Sequence, residues 1–215
     1  MPEYSYNMLK MLANIAIVGL VFYSIIIHEY AHAFMANLLG DDSAKRQGRL
    51  SLNPMVHIDW FGTVILPLIL YYSAGIIYGY AKPVPYNPYN FANYKRDAGL
   101  TALAGPLSNI LIAIVFAVIY HLQLGAIVTY ISTYVIFLNL LLAFFNLIPF
   151  PPLDGSKVIG IFLTDEAYYR WTMQERKGMI FLFAIIIISN MFRLNLIGRI
   201  IIHPITFFMK LFGIG

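Results

Sequence analysis

The sequence predicts an all-α polytopic membrane protein, and three observations carry that expectation. Of its 215 residues, 60% are hydrophobic and only 11% charged, with a mean hydropathy of +0.73; soluble domains carry roughly 25% charged residues. Apolar runs of bilayer-crossing length recur along the chain. Most of the basic residues gather in three stretches between those runs, the pattern of cytoplasmic loops.

No intervening stretch is long enough for an independent soluble domain. Residues 1–215 therefore read as a single membrane-embedded domain, with a core over about 11–160 and accessory C-terminal helices over about 178–213. Cysteine is absent, so disulfides and thiolate ligands are excluded and any transition-metal site must use His and carboxylates. The net charge of +4 suits loops against anionic lipid. It does not suggest nucleic acid, because no long basic cluster interleaved with aromatics accompanies it. The first apolar run lacks a basic n-region and does not read as a cleaved signal peptide.

About five to six apolar segments follow in order. Residues 11–39 form the first, ended by Gly40-Asp41-Asp42 and longer than the ~30 Å hydrocarbon core needs. Residues 43–53 are polar, with an alternation at Arg49-Leu50-Ser51-Leu52 that predicts a short strand or hairpin beside the membrane. Residues 60–81 are apolar but broken by Gly62, Pro67, Gly75 and Gly79, and either cross or return as a re-entrant segment. Lys/Arg placement favours return. Residues 40–59 and 82–98 hold three basic residues each and 149–177 hold four, whereas the turn at 121–126 holds none. Only a returning segment puts all three basic stretches on one side. Residues 80–88 carry Pro83, Pro85 and Pro88, which forbid a helix. They suit either an extended edge to which a peptide adds or a stiff connector. Residues 100–120 and 125–148 are further spans, the first opening on Ala102-Leu103-Ala104-Gly105-Pro106-Leu107-Ser108-Asn109, whose small residues allow close helix approach. Residues 156–177 read as a short amphipathic helix at the interface, and 178–192 and 197–212 as a closing helical pair.

The chemistry lies in the first segment. His28-Glu29-Tyr30-Ala31-His32 puts two histidines one turn apart on one helix face, with Cβ atoms about 5–6 Å apart, close enough to share a metal ion. Glu29 beside them can reach a metal-bound water. The plain alternative is a pair of histidines bonding between helices, but ionisable groups in hydrocarbon are costly and point to function. A catalytic zinc site usually takes a third protein ligand. Asp154 ends an apolar span beside Pro149, Pro151, Pro152 and Gly155, where a broken backbone can turn inward; the loop residue His57 is its rival.

These motifs, His28-Glu29-Tyr30-Ala31-His32, the Ala104-Gly105-Pro106-Leu107-Ser108-Asn109 helix and Asn146-Leu147-Ile148-Pro149-Phe150-Pro151-Pro152-Leu153-Asp154-Gly155, occur in an order that resembles the site-2 protease family of intramembrane zinc metalloproteases. The resemblance covers about residues 20–160. It implies one Zn²⁺ per chain held by His28, His32 and Asp154, with Glu29 as catalytic base. Gly79-Tyr80-Ala81-Lys82-Pro83-Val84-Pro85 resembles the compact bacterial and archaeal branch, and the chain leaves no room for the PDZ or CBS domains of larger relatives. The family core requires the first helix and the Gly105-Pro106 helix to run antiparallel, which again favours return of residues 60–81.

On this reading the protein cuts transmembrane proteins or peptides from a cell-membrane site that opens to the cytoplasm. Asn146 is a candidate to bond substrate or oxyanion, its other role being helix-to-helix hydrogen bonding worth roughly 0.6 kcal/mol; Asn109 is read as structural. Two other classes remain at this stage. One is a silent relative that binds membrane proteins, against which the intact Glu29 argues. The other is a metal transporter, which would spread ionisable groups over several spans.

Overall fold

The computed structural model describes residues 3–74, 82 and 84–214. The first helix, α1 (Glu3–Leu38), starts earlier than the apolar run and spans roughly 54 Å at about 1.5 Å per residue. It ends where Gly40 takes a φ of +106°, open to glycine and strained for other residues. The Asp41 N–H then closes the last turn on the Ala36 carbonyl at 2.9 Å.

The strand or hairpin expected over residues 43–53 does not form; no strand occurs among the described residues. A one-turn helix, α2 (Ser43–Arg46), takes its place. Local bonding is the reason. The Asp41 carboxylate accepts from the Ser43 N–H and hydroxyl, Arg46 pairs with Asp42, and the Gly48 and Arg49 N–H groups bond back to Lys45 and Ala44. With its backbone groups used within the turn, the stretch has no row to offer a neighbouring strand.

Residues 54–56 form a tight turn capped by Asn53, and the chain is helical from Trp60 through α3 (Leu66–Ala74), starting as a wide turn capped by Asp59. Residues 75–81 and 83 lie outside the described residues. With them go the far part of the 60–81 segment and residues 80, 81 and 83 of the proline-rich stretch.

Next come α4 (Tyr94–His121), capped by Asn93, and α5 (Ala126–Asn146), joined by a short turn. α4 begins six residues before its apolar run because the Asn93 side chain accepts the Arg96 N–H and opens the helix at 94. α1, α4 and α5 pack on one another through the small residues of α4: Ala98, Ala102, Gly105, Ala113 and Ala117 are buried. Their direction follows from two contacts. His28 meets Asn109 and His32 meets Thr101, so α1 and α4 run antiparallel.

The segment read as one amphipathic helix is two, α6 (Asp154–Gly160) and α7 (Asp165–Thr172), because Thr164 starts a new helix by accepting the Ala167 N–H. The last pair, α8 (Glu175–Met191) and α9 (Leu196–Leu211), is bent by 92°. α9 lays Ile201 and Ile205 on Ala113, Ala117, Ile136 and Leu140 in the main apolar core.

Three of the described helices are long and apolar enough to cross a membrane, at Asn7–Leu38, Tyr94–His121 and Ala126–Asn146; the bent pair makes up to four. The end of α1 lies beside the loop that enters α4, because Asp41 accepts from the Asn87 N–H at 2.8 Å and the Asn90 side chain at 2.7 Å. The chain between them leaves and rejoins the bundle at the same end.

Candidate metal centre

The imidazoles of His28 and His32, 7% and 9% exposed, face each other at the buried side of α1 with their Nε2 atoms 3.0 Å apart. Asp154 reaches them from the first residue of α6, its Oδ2 3.2 Å from His28 Nε2 and 3.4 Å from His32 Nε2. That Oδ2 is buried and accepts no hydrogen bond.

Two glycines make this approach possible. A Cβ on Gly155 would lie 2.2 Å from the Leu147 carbonyl oxygen, so the turn that delivers Asp154 closes only over a hydrogen atom. A Cβ on Gly105 would lie 2.5 Å from the His32 ring and 2.6 Å from that of His28. α4 therefore forms a floor on which both rings rest.

The outer ring nitrogens show what the inner ones present. His32 Nδ1 lies 2.7 Å from the Thr101 carbonyl oxygen, which can only accept, so Nδ1 carries the proton. His28 Nδ1 lies 2.6 Å from Asn109 Oδ1, an acceptor of the same kind. In the neutral rings both Nε2 lone pairs thus point inward, at each other and at a carboxylate oxygen. Three electron-rich atoms so close repel unless a cation lies among them. Two imidazole nitrogens and a carboxylate oxygen form a donor set that suits zinc, and the residues fit one such ion.

The other candidates from the sequence are placed as follows. Glu29 lies beside the cluster on α1, half-buried. His57 stands apart from it. Buried at 2% exposure, it sets its Nε2 2.7 Å from the Ser51 carbonyl oxygen while its own carbonyl accepts the Lys82 N–H, which fastens the loop. Asn146 closes α5 and donates its Nδ2 to the Leu142 carbonyl at 2.9 Å; no hydrogen bond joins it to the three converging side chains. Asn109, read as structural, bonds directly to a ring of the cluster. Thr101 was not singled out at all. Its signal was spacing: Thr101, Gly105 and Asn109 recur every four residues on α4, matching the four-residue step from His28 to His32 on an antiparallel neighbour.

Known proteins bear on this geometry. Residues 122–191 match the pattern of Peptidase family M50, a stretch that includes Asn146 and Asp154. The chain is 36% identical over 190 residues to "Putative zinc metalloprotease YwhC" of Bacillus subtilis, covering 84% of this chain and 83% of that one. It is 30% identical over 158 residues to "Putative zinc metalloprotease MJ0611" of Methanocaldococcus jannaschii, covering 72% and 73%. "Putative zinc metalloprotease Rip2" of Mycolicibacterium smegmatis is 24% identical over 171 residues. No solved structure matches. With a relative this similar along most of both chains, and with three side chains able to ligate a metal gathered where the motifs place them, the chain belongs to peptidase family M50, the site-2 protease family of metalloproteases.

Proposed function

We propose that this protein is an intramembrane zinc metalloprotease that binds one Zn²⁺ per chain through His28, His32 and Asp154 and hydrolyses peptide bonds of membrane-spanning substrates. The observation that carries the proposal is the convergence of two imidazole nitrogens and an unpartnered carboxylate oxygen within a run of apolar sequence. The relatives named as zinc metalloproteases support the choice of metal.

Zinc bound at these donors supplies a Lewis acid that activates water and polarises a scissile carbonyl. Glu29, next to His28, is the base that takes the proton of the attacking water and returns it to the leaving amine. Asn109 and Thr101 hold the two imidazoles with their Nδ1 protons outward, leaving the Nε2 lone pairs for the metal. Asn146 is a candidate to bond substrate; its Nδ2 now serves Leu142, so it would have to turn or offer its Oδ1. A substrate helix satisfies its backbone internally and must unwind near the cut before its carbonyl can be attacked.

The site opens toward the cytoplasm of the cell membrane on this reading. Asp41 contacts Asn87 and Asn90, Lys95 pairs with Asp165, and Lys157 lies 3.9 Å from Glu175. These contacts draw the three basic stretches to the end that bears the metal cluster, and the turn without basic residues lies opposite. Re-entry of residues 60–81, of which 75–81 lie outside the described residues, belongs to the same proposal, and the contact of Asn87 with Asp41 at the end of α1 supports it. That segment and the α8–α9 pair bring the apolar segments to five or six.

Incubation of the purified protein with a panel of transmembrane peptides, with and without a chelator, tests the proposal. Cleavage that stops with chelator and returns with zinc supports it. A protein that binds zinc but cuts no peptide in the panel would point to a silent relative, and zinc uptake into liposomes would point to a transporter.

A further inference from the structure

Behind Asn109 the hydrogen bonding continues onto α5, and its direction is fixed by a backbone carbonyl. Asn139 is fully buried, and its side-chain nitrogen lies 2.9 Å from the Val135 carbonyl oxygen, one turn back on the same helix. A carbonyl only accepts, so the Asn139 Nδ2 must face Val135 and its Oδ1 must face away. That Oδ1 lies 3.0 Å from the Asn109 side chain, which is also fully buried. Asn109 has to present its Nδ2 there, and its Oδ1 is thereby turned to His28 at 2.6 Å. His28 then has to donate through Nδ1, which leaves its Nε2 free.

We propose that Asn139 is a positioning residue of the metal centre, setting the tautomer of His28 through the amide of Asn109. Neither amide touches the three converging ligand atoms. Without Asn139 the Asn109 amide is free to reverse, offering its NH₂ to His28 Nδ1; the ring proton then moves to Nε2 and occupies the position a metal needs. The relay also gives α5 two roles at one site. It supports His28 from Asn139, and its C-terminal end leads through the proline turn to Asp154.

This inference rests on the zinc assignment above, and its test separates the two. Zinc affinity of the full-length protein in detergent is measured by competition with a chromophoric chelator, and the His28 tautomer by ¹⁵N NMR of metal-free, ¹⁵N-histidine-labelled protein, assigned by the signal lost in His28→Gln. Asn139→Leu, close in size, should weaken zinc 10- to 100-fold, the range for outer-sphere partners of metal ligands, and should populate the Nε2–H form of His28. Asn109→Leu should do the same, and the double variant Asn109→Leu/Asn139→Leu should be no weaker than Asn109→Leu alone, because the second residue acts only through the first. Asn139→Asp, whose neutral acid offers an O–H to Val135 and a C=O to Asn109, should remain within about threefold of the parent.

Parent-like affinity in Asn139→Leu, fully additive losses in the double variant, or an Asn139→Asp as weak as the leucine variant would each overturn the relay. If Asn139→Leu does not fold, the aspartate variant and the tautomer of the unsubstituted protein still decide: His28 protonated on Nε2 overturns the relay. Failure of the unsubstituted protein to bind zinc overturns the parent assignment instead, and the tautomer measurement, which needs no metal, still tests the relay.

Discussion

At the scale of single residues, two substitutions separate binding from chemistry. Glu29→Gln keeps size and removes the base. Cleavage should fall by at least about 10²-fold, the lower range for a general acid–base group, while zinc remains bound; purified Glu29→Gln protein that still cuts would remove Glu29 from the mechanism. Gly105→Ala acts the other way. Its methyl would come within 2.5 Å of the His32 ring, closer than real Cβ contacts, so both imidazoles must shift on α1. Zinc affinity should drop by about tenfold or more, as for other losses of ligand support, with the helical circular dichroism unchanged; chelator competition reads it directly. His28, Glu29 and His32 were legible as a group because their spacing alone sets their faces. The role of Gly105 was not, since it depends on which rings rest on it.

At the scale of elements, the loop after α1 is held by one carboxylate. Asp41 is fully buried and accepts from Ser43, Asn87 and Asn90. Burial by itself would raise its pKa, but the hydrogen bonds from Ser43, Asn90 and Asn87 outweigh it and hold the carboxyl below its ordinary value of 3.8. A depressed pKa means the folded protein holds the proton less tightly than the unfolded chain. The stabilisation is therefore complete above about pH 3.8 and is lost as the pH falls through the lower folded value. Asp41→Ala should cost about 1–3 kcal/mol at pH 7, the penalty for leaving buried donors unpaired. The gap from the parent in thermal unfolding should close as the solution is acidified below that range; a gap that persists unchanged would show that Asp41 is not ionised in the fold. This anchor also explains the missing hairpin. The alternation at Arg49–Leu52 reads as a strand by period, yet a strand needs a paired neighbour, and the local bonds to Asp41, Asp42 and Ala44 come first.

For the whole molecule, the decisive quantity is which end faces the cytoplasm. The native chain has no cysteine, so single cysteines report position without background. Exposed Lys45 and Gln123 lie at opposite ends of the α1–α4–α5 bundle. In intact cells a membrane-impermeant maleimide should label Gln123→Cys, and should label Lys45→Cys only after permeabilisation. The reverse pattern would put His28, His32 and Asp154 toward the outer side. The division of labour along the chain is visible at this scale too: α8 packs so closely that a Cβ on Gly178 would lie 2.3 Å from the Pro151 carbonyl oxygen. A C-terminal helix read as accessory thus supports the turn that delivers Asp154, and Gly178→Val should lower activity with His28 and His32 untouched, measured by the cleavage rate against zinc content.

The amino-acid sequence alone determined the all-helical membrane class, the facing pair His28 and His32, and the position of a break at Pro149–Gly155. Composition, a four-residue period and proline are local properties, readable wherever the chain goes. Asp154 was favoured over the loop residue His57 by its place at the end of an apolar span and by the family resemblance, but no spacing says how near it comes to the histidines. Only the tertiary structure decided it. α4 runs back along α1 and α5 returns in the direction of α1, bringing Asp154 within 3.4 Å of both rings and leaving His57 to fasten a loop. The same packing of three helices put Thr101, Asn109 and Asn139 behind the histidines, contacts that join residues distant in the chain and so have no local sequence signature.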